Sequence, residues 1–146
     1  MLSFYVFLYE YLKEEHCIST TPIIGYINDG TDDVMMSHAW LEYSGTKTDV
    51  SLGVTANPIL WPTGEVIILD RVIYSGHNYS YHVSMTDAGL QTHYDMLKGP
   101  DSALVQQKAE EHLEMLARAK TPQSIRSYLD GAPAGLHYDE LSSAIS

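Results

Sequence analysis

Apolar positions first recur at helical spacing and then, further along, in short alternating runs. From Leu2 to Glu15, Phe4, Phe7, Leu8, Tyr11 and Leu12 fall on one stripe, while Tyr5, Val6 and Tyr9 leave little polar face. This predicts a mostly buried helix. Ser19 to Ile27 (STTPIIGYI) reads as a strand, with Pro22 giving it an edge position or an irregular start, and Asn28-Asp29-Gly30 as the turn that ends it. After an acidic loop at Thr31 to Asp33, Ser37 to Leu52 (SHAWLEYSGTKTDVSL) predicts two strands joined by a tight turn at Ser44-Gly45. Asn57-Pro58 and Trp61-Pro62 make Gly53 to Gly64 a connecting loop. Glu65 to Tyr74 (EVIILDRVIY), rich in Val and Ile, is expected to be one strand, and Ser75 to Val83 a turn leading into another.

Beyond residue 84 the pattern turns helical. Thr86 caps a helix whose stripe is Leu90, Tyr94 and Leu97 and which Gly99 stops before Pro100. Asp101 or Ser102 caps the next, which runs through Ala119 with Val105, Ala109, Leu113 and Leu116 on one side and Glu110, Glu111 and Glu114 outward. Thr121-Pro122 starts a third, ended by Gly131, and the Ala/Gly/Ser-rich tail from Ala132 is weakly specified. The expected fold is α+β and a single domain over residues 1–146. Residues 1–83 form a helix packed on an antiparallel sheet, and 84–146 a helical extension.

A formal charge of −11, from 19 acidic against 8 basic residues, repels phosphate backbones and anionic lipid, so nucleic acid and membrane are not expected as partners. The apolar opening lacks a basic flank and a small-residue cleavage pattern and carries Glu10, which favours a core helix over a leader. One cysteine excludes an internal disulfide and fits a reducing cytoplasm. None of the seven histidines falls at a metal-ligand spacing, and no Gly-rich phosphate loop occurs, so neither metal nor cofactor is expected. His77, His82, His93, His112 and His137 are read as surface or hydrogen-bonded residues. Asp70-Arg71 is read as a pair that satisfies itself at a sheet edge. The eleven tyrosines are read as core residues with a polar tip.

Candidate chemistry lies in the central hairpin. His38, Trp40 and Glu42 share one face of the first strand, and Lys47, Asp49 and Ser51 share one face of the second. With a two-residue loop at Ser44-Gly45, Asp49 falls opposite Trp40 and His38 opposite Ser51, so His38 and Asp49 are diagonal neighbours. Such a pair serves either as an oriented base, with Asp49 fixing the tautomer of His38, or as a structural hydrogen bond. Lengthening the loop by one residue without a bulge would put Asp49 on the other face.

The order of a buried helix, a strand running into glycine (PIIGY), His-Ala-Trp on the next strand and Thr-Asp-Val on its neighbour resembles the transglutaminase-like branch of the papain-like cysteine hydrolases. It covers about residues 1–52. The resemblance implies a nucleophile-bearing helix packed on an antiparallel sheet, amide or acyl transfer through a thioester, and His38 and Asp49 as base and orienting acid. It also implies a cysteine at the helix N-terminus, where this sequence has Met1, Leu2 and Ser3. Ser3 is read as a cap or core-edge residue, and Cys17, at the opposite end of the helix, as a small buried hydrophobe.

Three explanations of the missing thiol are open: an upstream cysteine in a longer chain, a pseudoenzyme, or a relocated nucleophile. The non-enzymatic alternative is a peptide- or protein-binding domain on the same fold. In either case the expected partner is a peptide or protein. If the fold holds, residues 1–3 lie nearer to His38 than Cys17 does, and Cys17 is slow towards electrophiles.

Overall fold

A computed structural model describes residues 2–55, 59 and 61–145, with the side chains of residues 2 and 3 outside the description. The protein is α+β, with five helices and an antiparallel curled sheet among these residues. Helix α1 (Leu2–His16) is followed by β1 (Thr21–Asn28), β2 (Met36–Tyr43) and β3 (Thr46–Thr48), then by a single 3-10 turn at Ser51–Gly53. Next come β4 (Val66–Ile68), β5 (Arg71–Tyr74) and β6 (Ser80–His82), and then α2 (Asp87–Leu97), α3 (Ser102–Arg118), α4 (Pro122–Asp130) and α5 (Tyr138–Ile145).

The main sheet has strand order β3-β2-β1-β6, every pairing antiparallel. Pro22 sits in the part of β1 that pairs only with β2, since β6 covers no more than Tyr26 to Asn28, which gives it the expected edge position. One face of the sheet carries Ile24, Ala39 and Leu41 and packs with Tyr5, Val6 and Phe7 of α1, Ile125 and Leu129 of α4, and Tyr138 of α5. The opposite face carries Met36, His38 and Trp40. There Ile27, Leu52 and Tyr79 form a second, smaller core.

Helix α1 buries most of the expected stripe, with Phe7 in the core and Leu8, Tyr11 and Leu12 packed against it, and departs from it at Phe4. Tyr5, Val6, Phe7 and Glu10 are buried while Phe4 is exposed. Two polar anchors draw Tyr5 and Glu10 inward beside this stripe. The Tyr5 hydroxyl reaches Asp49, and Glu10 pairs with Arg126 of α4 at 3.7 Å. On α3, similarly, Val105 and His112 are buried and Leu113 faces outward. His112 Nδ1 lies 2.6 Å from Ser37 Oγ, and its ring stacks on Tyr26 with centroids 4.4 Å apart. Burial pushes the His112 imidazole below its ordinary pKa.

The expected single strand Glu65–Tyr74 is instead the hairpin β4–β5. Leu69 and Asp70 turn it with φ of 50° and 63°, a left-handed pair formed by residues that do not advertise it. Contacts with β3 supply the reason. Asp70 N donates to Lys47 O, Lys47 N donates to Asp70 Oδ1, and Leu69 N donates to Thr48 Oγ1. Asp70 therefore satisfies itself on Lys47 rather than on Arg71. The tail holds the unexpected α5, where Glu140 accepts from Gly135 N and His137 N and Tyr138 and Leu141 pack on the core. The helix caps follow the expected residues more closely. Thr86 accepts from Gly89 N, and Thr121 forms a capping box with Ser124, whereas Asp101 occupies its cap position without a side-chain bond. In the connecting loop, Asn57-Pro58 lies outside the described residues.

Candidate active site

Two elements hold His38 and Asp49 together. Ser44 and Gly45, with φ of 49° and 78°, make a two-residue turn that pairs Tyr43 with Thr46, Glu42 with Lys47 and Leu41 with Thr48. This register puts His38 and Asp49 on one face. Beyond Thr48 the chain peels from β2 and its backbone joins β4, Asp49 N donating to Ile67 O and Ile67 N to Asp49 O, each at 2.8 Å. The main chain of Asp49 is thus fixed from one side and its carboxylate is aimed at the other.

His38 Nε2 lies 2.6 Å from Asp49 Oδ2. Asp49 is fully buried and His38 is 6% exposed. The same Oδ2 accepts from the Tyr81 hydroxyl of β6 at 2.6 Å. Oδ1 accepts from the Tyr5 hydroxyl of α1 and from Ser51 N and Oγ, the last two at 3.0 Å. Burial alone would raise the pKa of Asp49. The hydrogen bond and charge of His38, with the hydroxyls of Tyr5 and Tyr81, outweigh it and bring the carboxyl down to about 2. Both tyrosine hydroxyls are correspondingly pushed up, by burial first and then by the Asp49 charge beside them.

An ionised Asp49 can only accept, so in the neutral ring Nε2 carries the proton and Nδ1 keeps its lone pair. Among the described residues Nδ1 has no hydrogen-bond partner. Tyr5, Tyr81 and Trp40 surround the ring, their centroids 6.3, 6.1 and 6.4 Å from that of His38. Trp40 fits because the cross-strand partner of His38 is Gly25. A Cβ at Gly25 would come within 2.7 Å of the indole and 2.4 Å of the His82 carbonyl oxygen.

The site therefore has two members, Tyr5 and Tyr81, that the sequence does not single out. They lie 44 and 32 positions from Asp49, beyond the reach of any local pattern. Cys17 is exposed rather than buried and takes φ of 56° just past the end of α1. From Tyr5 to His16 the helix advances about 16 Å, which carries Cys17 away from His38. Met1, and the side chains of Leu2 and Ser3, lie outside the described residues, and with them the reading of Ser3 as a cap.

A cleft of about 310 Å³, lined by Asp29, Thr31, Asp32, Val34, Met36 and Trp61, opens near the β1–β2 connection. Met36 places it two residues from His38 on the same strand face. Among the described residues no helix is long and apolar enough to cross a membrane, and no group of three or more His, Cys, Asp or Glu could hold a metal. No protein-family model matches this chain, and neither the curated proteins nor the solved structures give a match.

Proposed function

We propose that the protein is a transglutaminase-like or papain-like domain built for acyl transfer from an amide, with His38 as the base and Asp49 as its orienting acid. The observation that carries this reading is the His38–Asp49 pair: a buried, ionised carboxylate fixed on Nε2, with no described residue bonded to Nδ1. In the reaction Nδ1 takes the proton of a thiol as its sulfur attacks the amide carbonyl, and the imidazolium is held by Asp49. Nδ1 then returns the proton to the departing amine, leaving a thioester that water or a second amine resolves. A peptide or protein substrate suits the site, running from the cleft at Met36 towards His38. A chain with a single cysteine suits a reducing cytoplasm.

The attacking thiol is not Cys17, on the distance given by the helix. Position 2 precedes Tyr5, whose ring stands beside His38, by three residues on α1, which makes positions 2 and 3 the ones to substitute. In a Cys17→Ser background, Leu2→Cys and Ser3→Cys are each expected to be checked for alkylation by iodoacetamide. At least one should give a thiol with a pH midpoint below the ordinary value of about 8.5, and His38→Ala should slow its labelling at neutral pH by about tenfold or more. Folded variants of both positions with ordinary, His38-independent thiols would overturn the enzymatic reading.

That outcome would favour a peptide- or protein-binding domain instead. One observation supports the alternative: Ile68, Leu69, Val72, Ile73 and Tyr74 of the β4–β5 hairpin are all exposed.

A further inference from the structure

We propose that Tyr5 and Tyr81 are positioning residues that set the strength of His38 as a base, by dispersing the charge of Asp49 over donors other than the imidazole. The inference deepens the reading of His38 as the base. Its support is the way Asp49 is shared.

A carboxylate that met only an imidazole would concentrate its charge on that ring and stabilise the protonated form, leaving a base already occupied at neutral pH. Here the carboxylate has four other donors: the Tyr81 hydroxyl on Oδ2, and on Oδ1 the Tyr5 hydroxyl with Ser51 N and Oγ. Each donor points a partial positive charge at Asp49 and so weakens its pull on the His38 proton. Tyr81 matters most, because it shares Oδ2 with His38, both at 2.6 Å. Tyr5 acts on the other oxygen and is itself held by Ser51, whose Oγ lies 2.7 Å from the phenol oxygen.

The ring of Tyr81 has a further partner. Lys47 Nζ stands 3.6 Å from its centroid, and a cation over that face draws electron density from the phenol, making its hydroxyl a firmer donor. The charged and titratable groups around the pair are therefore Asp49 and Lys47 from β3 and its extension, Tyr5 from α1 and Tyr81 from β6. Glu65, before β4, acts on Tyr81, and Glu42 of β2 is turned to Trp40 Nε1 at 3.3 Å.

The test is the proton titration of the His38 ring, followed by NMR in the full chain and in Tyr81→Phe and Tyr5→Phe, each of which keeps the ring and removes only the hydroxyl. Tyr81→Phe should move the His38 midpoint upward by about half a pH unit or more, and Tyr5→Phe upward by less. Ser51→Ala, which removes a donor without touching either aromatic ring, should also move it upward. A midpoint that stays in place or falls in folded Tyr81→Phe and Ser51→Ala would overturn the proposal. The readout needs no thiol and no substrate. Its failure would leave the assignment of His38 standing, and a failed thiol test would leave this coupling standing.

Discussion

Asp49→Ala is expected to lower the unfolding free energy by about 3–5 kcal/mol, a large share of what a domain of this size possesses. The side chain itself contributes little apolar surface. The loss comes from the groups left behind: the Tyr5 and Tyr81 hydroxyls, Ser51 and His38 Nε2 all donate to this one buried carboxylate, and alanine removes their shared acceptor, leaving Tyr5 and Ser51 only each other. Asp49→Asn keeps the shape but turns an amide donor towards one set of these donors, so it should also destabilise, by less. Part of the effect is pH dependent, with a defined sign. Because folding holds the carboxyl at about 2 instead of 3.8, the unfolded chain takes up the proton first as the solution is acidified. The contribution is fully present above about 3.8 and falls away as pH drops through about 2, by about 2 kcal/mol in all, and both variants should lack it. Urea unfolding at neutral pH and along the acid limb measures both. A loss below about 1 kcal/mol at neutral pH would mean that the carboxylate is not the hub described.

Gly25→Ala should cost about 2–3 kcal/mol although it adds only a methyl group. The requirement here is for space, since the added carbon would meet the His82 carbonyl oxygen at 2.4 Å and Trp40 Cη2 at 2.7 Å. The carbonyl belongs to β6, which pairs with β1 over only three residues and can move by giving up that pairing. Loss of β6 would take Tyr81 away from Asp49, and displacement of Trp40 would free the His38 ring. The variant should therefore show both a lowered urea midpoint and a disturbed His38 resonance, whereas a change neutral in both would contradict the packing described.

The central hairpin was legible in the sequence because its turn is local. Ser44-Gly45 between alternating strands leaves one register, and parity then puts His38 and Asp49 on a common face. The β4–β5 turn was not legible, since Leu69 and Asp70 adopt left-handed backbone only where Lys47 and Thr48 reward them with hydrogen bonds. Helix faces were legible only in part where a polar group is an anchor: Phe7 of α1 and Val105 of α3 are inward as expected. Apolar spacing could not foresee that Glu10 and His112 would be buried by Arg126 and Ser37, nor that Phe4 and Leu113 would be turned outward. The short α5 depends on Glu140 closing on Gly135 and His137, a contact that composition hides. Tyr5 and Tyr81 belong with these cases, as two tyrosines among eleven that only the tertiary fold brings to Asp49.

The central claim is that Asp49 fixes His38 as a base with one free nitrogen, and the protonation of the two ring nitrogens tests it most directly. Nitrogen-15 correlation spectra of the His38 ring, at a pH where it is neutral, should show the proton on Nε2 and a bare Nδ1, and Asp49→Asn should erase that preference. A proton resident on Nδ1, or an even mixture of the two tautomers in the unaltered protein, would contradict the account.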